Sequence, residues 1–278
     1  MHFDNLRAVL RTGADTPSRV KLALAAAITS RPWLRPVGFP LLRSLSADSG
    51  FWVRYHKNGA VLRVALRPSD LNSDLQTFYE TGCGNCYCLP QAFEPEIVID
   101  AGANVGLFTL LALTLWPKCR VIACEPDPRN LKQLQLHLRE NGMTADIVAG
   151  CLAGRPGAVR FYCRAANQGS FDSTLPFHAS IEVPVTTLGE VCRIVGQRRC
   201  LVKLDIEGAE IQVLKEFLSV PRPNYFVVGE LHDQNSHKTE LLDLIRDSGW
   251  RATFVADAGD CVMFHAHPAA QVMASQAG

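Results

Sequence analysis

The stretch Ile97-Val98-Ile99-Asp100-Ala101-Gly102-Ala103-Asn104-Val105-Gly106 joins an apolar run to an acid and then to a turn carrying two glycines. It reads as the first strand of a nucleotide-binding sheet. Leu107 to Trp116 follow, almost all apolar and without strict alternation, which suits a helix buried against that sheet. Gly102 and Gly106 let the backbone pass close to a ligand, and the helix start presents free N–H groups there. Asp100 falls at the carboxyl edge of the strand.

Downstream the pattern keeps alternating. Strands are expected over Arg120–Glu125, Asp146–Ala149, Leu201–Asp205 and Tyr225–Glu230. One helix opens at Asp127 with Pro128 in its first turn, aligns Leu131, Leu134 and Leu138, and stops before Gly142. Two more are expected over Glu207–Leu218 and Lys238–Ser248, and Arg251–Ala256 with Cys261–His265 form a closing hairpin. Such alternation predicts an α/β fold with a mostly parallel sheet covered on both faces and a C-terminal antiparallel hairpin. Ala158–Cys163 and Ile181–Val185 read as a strand pair around a polar loop, Ala166–Pro176, marked as a candidate lid. The residues from His267 onward are expected to fray.

Upstream lies an N-terminal extension. Pro17, Pro32, Pro36 and Pro40 divide residues 1–48 into one or two short helices. Phe51–His56 and Ala60–Leu66 flank an Asn-Gly pair, a strong hairpin signal, and Leu71–Glu80 suits a helix. The division is therefore residues 1–90 as a helical and hairpin extension able to cap a substrate, and residues 91–278 as the ligand-binding domain. Cys83, Cys86 and Cys88 resemble part of a zinc knuckle but lack an obvious fourth ligand, so unpaired loop thiols are the preferred reading and no metal site is assigned.

The 278 residues are 47% hydrophobic and 20% charged, with net charge +1 and a pI near 7.6, so the whole-chain charge offers no broad footprint for nucleic acid or an anionic membrane. A small-molecule partner fits better, and a homodimer is compatible with the sequence. Several of the ten cysteines lie inside apolar runs, where a reduced thiol packs as a small hydrophobe, and a disulfide framework is not expected. Val20–Thr29 is apolar but short and lacks a cleavage pattern, which leaves a soluble cytoplasmic protein as the expectation.

Four expected core strands end on an acid: Asp100, Glu125, Asp205 and Glu230. Asp127, Glu207 and His232 lie two residues beyond the last three. In an open parallel sheet the ligand sits outside the carboxyl ends of the strands, so these side chains share one edge. Glu125 stands where a ribose-binding acid stands in dinucleotide folds. A nicotinamide cofactor would call for G-x-G-x-x-G, whereas here Gly102 and Gly106 are four apart and Leu107 occupies the place of the third glycine. His232 is the candidate general base, with Glu230 or Asp205 orienting its ring. Lys203 is read as facing away from the site. A divalent cation on Asp205, Glu230 and His232 is an alternative, and the plainer reading of Asp205 and Glu207 is helix capping.

These residues resemble the S-adenosylmethionine-dependent methyltransferases, and within them the FkbM-type family. The resemblance is carried by Val98 to Gly106, by Glu125-Pro126-Asp127-Pro128 with Asn141, by Val202-Lys203-Leu204-Asp205-Ile206-Glu207-Gly208-Ala209-Glu210, and by Glu230-Leu231-His232, and it runs from about residue 90 to 265. It implies a Rossmann-like class I methyltransferase fold with S-adenosyl-L-methionine as cofactor. Asp100, Gly102, Asn104 and Gly106 would hold its methionine part, Glu125 its ribose, and Cys151 and Leu152 its adenine, with Asp127, Asp205 and Glu207 completing the cofactor edge. It further implies methylation of a hydroxyl on a natural product or sugar, and from the chemistry of the strand ends His232, Asp205 and Glu230 are the expected catalytic group. N-methylation and a non-catalytic binding protein are the alternatives.

Overall fold

The computed structural model describes residues 11–44, 51–163, 177, 179–232, 234–257 and 261–269. The candidate lid, residues 166–176, lies outside the described residues, as does the tip of the closing hairpin.

Helix α1 (Thr16–Ser30) is capped by Asp15, whose carboxylate accepts the Ser18 N–H, and a short 3-10 turn leads into α2 (Arg35–Ser44). Strands β1 (Phe51–Lys57) and β2 (Ala60–Leu66) pair antiparallel across Asn58-Gly59. Helix α3 (Leu71–Thr77) continues as a π-helical turn over Phe78–Cys83. Then come β3 (Ile97–Ala101), α4 (Leu107–Leu115), β4 (Arg120–Cys124), α5 (Pro128–Glu140) and β5 (Asp146–Val148). Strands β6 (Cys151–Leu152), β7 (Gly157–Cys163) and β8 (Ala179–Thr186) form a small side sheet in the order β6-β8-β7. The chain continues through α6 (Leu188–Val195), β9 (Cys200–Leu204), α7 (Glu210–Phe217), β10 (Tyr225–His232), α8 (Gln234–Asp247), β11 (Trp250–Asp257) and β12 (Cys261–Pro268).

The main sheet has the order β11-β12-β10-β9-β3-β4-β5. Strands β10, β9, β3, β4 and β5 are mutually parallel, and β12 runs antiparallel to both its neighbours. Strands β3 and β9 are buried at every position, as expected for strands covered on both faces. Successive strands step outward on either side of β3, so the sheet's order reverses between β3 and β9 and opens a crevice at their carboxyl ends.

The extension is not a detached module. Leu22, Ala25, Phe51, Val64 and Leu71 share a buried cluster with Val105, Leu110, Leu134 and Leu138 of the sheet-covering helices and the turn before them. A buried histidine ties the two together: His137 Nδ1 donates to the Val105 carbonyl (2.8 Å) and Nε2 accepts the Ala65 N–H (2.9 Å). Burial holds this ring neutral by lowering its pKa to about 4, which outweighs the raising effect of its backbone hydrogen bonds.

Several element ends differ from the sequence reading. Helix α7 begins at Glu210 rather than Glu207, because Glu207 (φ 57°) and Gly208 (φ 103°) turn left-handed before it. Its N-cap is Ala209, so neither Asp205 nor Glu207 caps it. His267 and Pro268, expected to fray, pair with Arg251 and Trp250 as the end of β12.

Candidate active site

The crevice is a cavity of about 510 Å³ lined by Gly102, Asn104, Glu125, Asp127, Cys151, Leu152, Asp205, Glu207, Glu230 and His232, ten of the residues singled out from sequence. Asp100 and Gly106 do not line it. Asp100 is fully buried behind the turn, where its Oδ2 accepts the Thr109 hydroxyl (2.6 Å) and its Oδ1 lies 3.4 Å from the Lys203 ammonium. Its role is therefore to brace the turn from below. Gly106 supports that turn as the left-handed N-cap of α4.

Gly102 has φ 76°, and a Cβ built there would stand 1.8 Å from the Asp205 carbonyl oxygen. The turn and the end of β9 thus touch backbone to backbone, which only glycine permits. Asn104 projects next to it with its Oδ1 buried and without a hydrogen-bond partner, while its backbone N–H donates to Glu125 Oε2 (2.8 Å).

Glu125 is satisfied by backbone N–H groups and one side-chain amide rather than by cations. Its Oε1 accepts the Asp127 N–H (2.8 Å) and the Asn130 side-chain amide (3.3 Å). Burial raises its pKa to about 7 against the lowering effect of these bonds, so a ligand that donates hydrogen bonds would favour the charged form. Asp127 is also the N-cap of α5, accepting the Arg129 N–H (2.8 Å).

The opposite end of the cavity is a charged cluster. Lys203 does not face away. It lies in β9 opposite Asp100, its side chain 4% exposed, and its Nζ donates to the Gly102 carbonyl (2.6 Å) and sits 3.5 Å from Asp205 Oδ2. Pairing of β9 with β3 brings its long stem to the carbonyls of the glycine turn, a placement that alternation along one strand does not reveal. Asp205 also accepts the Tyr87 hydroxyl (2.7 Å). Burial alone would raise the Asp205 pKa, yet Lys203, His232 and Tyr87 together hold it below the usual carboxylate value.

His232 ends β10 rather than lying beyond it. Its orienting partner is Glu210, which the sequence reading did not select: Glu210 is 1% exposed and its Oε1 lies 3.0 Å from His232 Nδ1. Nε2 then faces Glu207 (3.5 Å) and Glu230 (3.6 Å). Burial would lower the pKa of the ring, but the Glu210 bond and the charges of Glu207, Glu210 and Asp205 raise it to about 10. Glu207 rises to about 8 through burial and the neighbouring acids. At neutral pH the raised values keep protons on His232 and Glu207 while Asp205 stays ionised, and the ordinary imidazole pKa of about 6.5 does not apply.

One ligand atom from each of Asp205, Glu207 and His232 lies within 4.8 Å of the others, the single such set of potential metal ligands among the described residues. Glu230 is not in this set, and neither are Cys83, Cys86 and Cys88. All ten cysteines are free. Besides Glu210 and Lys203, Tyr87 and Glu80 reach the site unforeseen, brought in by the loop and π-turn that precede β3. Their only sequence signal was closeness to an unexplained loop.

A parallel sheet with this strand order, an antiparallel β12 and an acid-lined crevice at the carboxyl edge define the Rossmann-like class I methyltransferase fold. Within it the chain belongs to the methyltransferase FkbM domain family, whose model matches residues 100–255. Among curated proteins it is 27% identical over 155 residues to Methyltransferase 1 of Beauveria bassiana (strain ARSEF 2860), covering 47% of this chain and 61% of that protein. It is 26% identical over 207 residues to Methyltransferase sdnD of Sordaria araneosa, covering 61% of this chain and 79% of that protein. The chain thus spans about three fifths of the first relative's length. Among solved structures, the precorrin-6y C5,15-methyltransferase of Geobacter metallireducens aligns over 66% of this chain and 85% of its own, at 11% identity and a TM-score of 0.44.

Proposed function

We propose that this protein transfers a methyl group from S-adenosyl-L-methionine to a hydroxyl of a small-molecule acceptor. The observation that carries the reading is the pairing, in one cavity, of the tight Gly102 turn with carboxylates from the ends of successive strands. The residues suit the cofactor: Asn104 Oδ1 is a buried acceptor lacking a partner, and Glu125, Asp205 and Glu207 form an edge that attracts a cation carrying an ammonium and a sulfonium. When bound, the cofactor would supply an electrophilic methyl group.

The chain's own residues would do the rest. Glu125 accepts ribose hydroxyls, Cys151 and Leu152 offer an apolar wall to the adenine, and Gly102 with Asn104 hold the amino-acid end. Glu80, Tyr87 and the π-turn of the extension border the acceptor side. Alignment is the main demand of an in-line methyl transfer. His232, held by Glu210 through Nδ1, presents Nε2 to receive the hydroxyl proton, while Glu230 and Asp205 stabilise the imidazolium that results. A positive charge placed against this edge lowers the pKa values of His232 and Glu207 and so releases the proton that the resting ring carries.

A second reading has its own support: Asp205, Glu207 and His232 converge as cation ligands, and a divalent ion there would acidify a bound hydroxyl. Calorimetric titration with S-adenosylhomocysteine tests the main proposal. Binding that Glu125→Gln weakens is the expected result, and no binding at millimolar concentration refutes it. A screen of hydroxylated and aminated acceptors with isotopically labelled methyl donor then decides the acceptor atom.

A further inference from the structure

We propose that the N-terminal helical arm, residues 16–44, docks this protein onto an anionic lipid surface through an exposed apolar ridge. The inference does not depend on the methyl-transfer reading. Four of the ten exposed large hydrophobic residues among those described fall in this arm: Val20 (61% exposed), Trp33 (73%), Val37 (74%) and Leu41 (48%). Trp33, Val37 and Leu41 recur at four-residue spacing, which places them along one side of the 3-10 turn and α2. The inner side of α2 is already occupied, since Gly38 is buried and a Cβ there would meet the Ile28 side chain at 2.6 Å. Trp33, Val37 and Leu41 are the exposed large hydrophobic side chains of the 3-10 turn and α2 among the described residues.

Charge identifies the occupant. Residues 16–44 contain Arg19, Lys21, Arg31, Arg35 and Arg43 and no Asp or Glu. The rest of the chain has 23 basic and 27 acidic residues, a net charge of −4, so the near-neutral total conceals a segregation. Lys21 is engaged with the Trp52 carbonyl (3.0 Å) and Arg19 Nε with the Gly13 carbonyl (2.9 Å), and Arg19 and Arg31 are exposed. An apolar stripe with a tryptophan, carried on a segment with five basic residues and no acid, matches the interfacial zone of a bilayer bearing negative headgroups. A second copy of the chain would set one acid-free basic segment against another, and a nucleic acid would leave the apolar stripe unused. No helix among the described residues is long and apolar enough to cross a membrane, so the mode of contact is peripheral.

The test is cosedimentation of the full chain with vesicles of phosphatidylcholine containing phosphatidylglycerol, compared with pure phosphatidylcholine, together with tryptophan emission. The expected result is salt-sensitive binding to the anionic vesicles only, with a blue shift that Trp33→Ala removes. Val37→Asp/Leu41→Asp should weaken binding roughly tenfold or more, because two exposed apolar anchors become acids, while the unfolding midpoint stays unchanged. Equal recovery in the supernatant with both vesicle types overturns the proposal, as does binding that the double variant retains. A dimer that the double variant converts to monomer assigns the ridge to self-association instead, and binding confined to oligonucleotides assigns the arm to nucleic acid.

Discussion

Lys203→Met removes the charge that holds the two halves of the site together while nearly preserving side-chain volume. The ammonium lies 3.4 Å from Asp100 and 3.5 Å from Asp205, and it donates to the Gly102 carbonyl at 2.6 Å. At such a distance, with an effective dielectric constant of about 20, each attraction is on the order of 5 kcal/mol, part of which the desolvation of the ammonium offsets. Once it is gone, Asp100 is fully buried with only the Thr109 hydroxyl as a partner. Breaking a buried pair by removing one member costs about 3–5 kcal/mol, a large share of the roughly 5–15 kcal/mol that holds a typical domain folded. Urea unfolding, followed by circular dichroism and by tryptophan fluorescence, should show that loss as a lower midpoint. Asp100→Asn added to Lys203→Met removes the orphaned charge and should restore at least about 2 kcal/mol. A single variant that loses less than about 1 kcal/mol, or a double variant no more stable than the single, would show that Lys203 is not the electrostatic keystone described here.

The kcat/KM for methyl transfer, which reports the free enzyme, should climb as pH rises from 7 toward 10, because the base form of His232 appears only as its raised pKa is approached, while the same limb in kcat should lie at lower pH. Glu210→Gln should shift that limb to lower pH, and a profile identical to wild type would remove Glu210 as the orienting group. His137 gives an acid-side prediction with the opposite sign. Its folded pKa of about 4 lies below the unfolded value of about 6.5, so the unfolded state takes up the proton first and up to about 3 kcal/mol of stability is lost as pH falls between those values. Thermal unfolding against pH checks this, since His137→Gln should flatten the slope in that window. Exhaustive chelation should leave turnover intact if His232 acts alone, whereas activity restored by added magnesium or manganese favours the Asp205, Glu207 and His232 cation site.

The local signals carried far because each was short range. The Asp127-Pro128 cap with its leucine stripe, the Asn58-Gly59 hairpin and the apolar runs of β3 and β9 need only neighbouring residues to be read. The acids at strand ends also declared their common edge, because all parallel strands finish on the same side of the sheet. The α/β fold and ten lining residues of the cavity were therefore legible in the sequence.

Only the tertiary structure decided what those residues do to one another. Asp100 belongs to the same motif as Asn104, yet register with β9 places it under the turn against Lys203, while Asn104 reaches the cavity. Glu210 and Tyr87 lie 22 and 118 residues from the groups they hold, distances over which no pattern in one chain reports contact. The protonation of His232 was equally hidden, because a pKa depends on the sum of charges gathered around a ring. That sum exists only after β9, β10 and the turn before α7 have met.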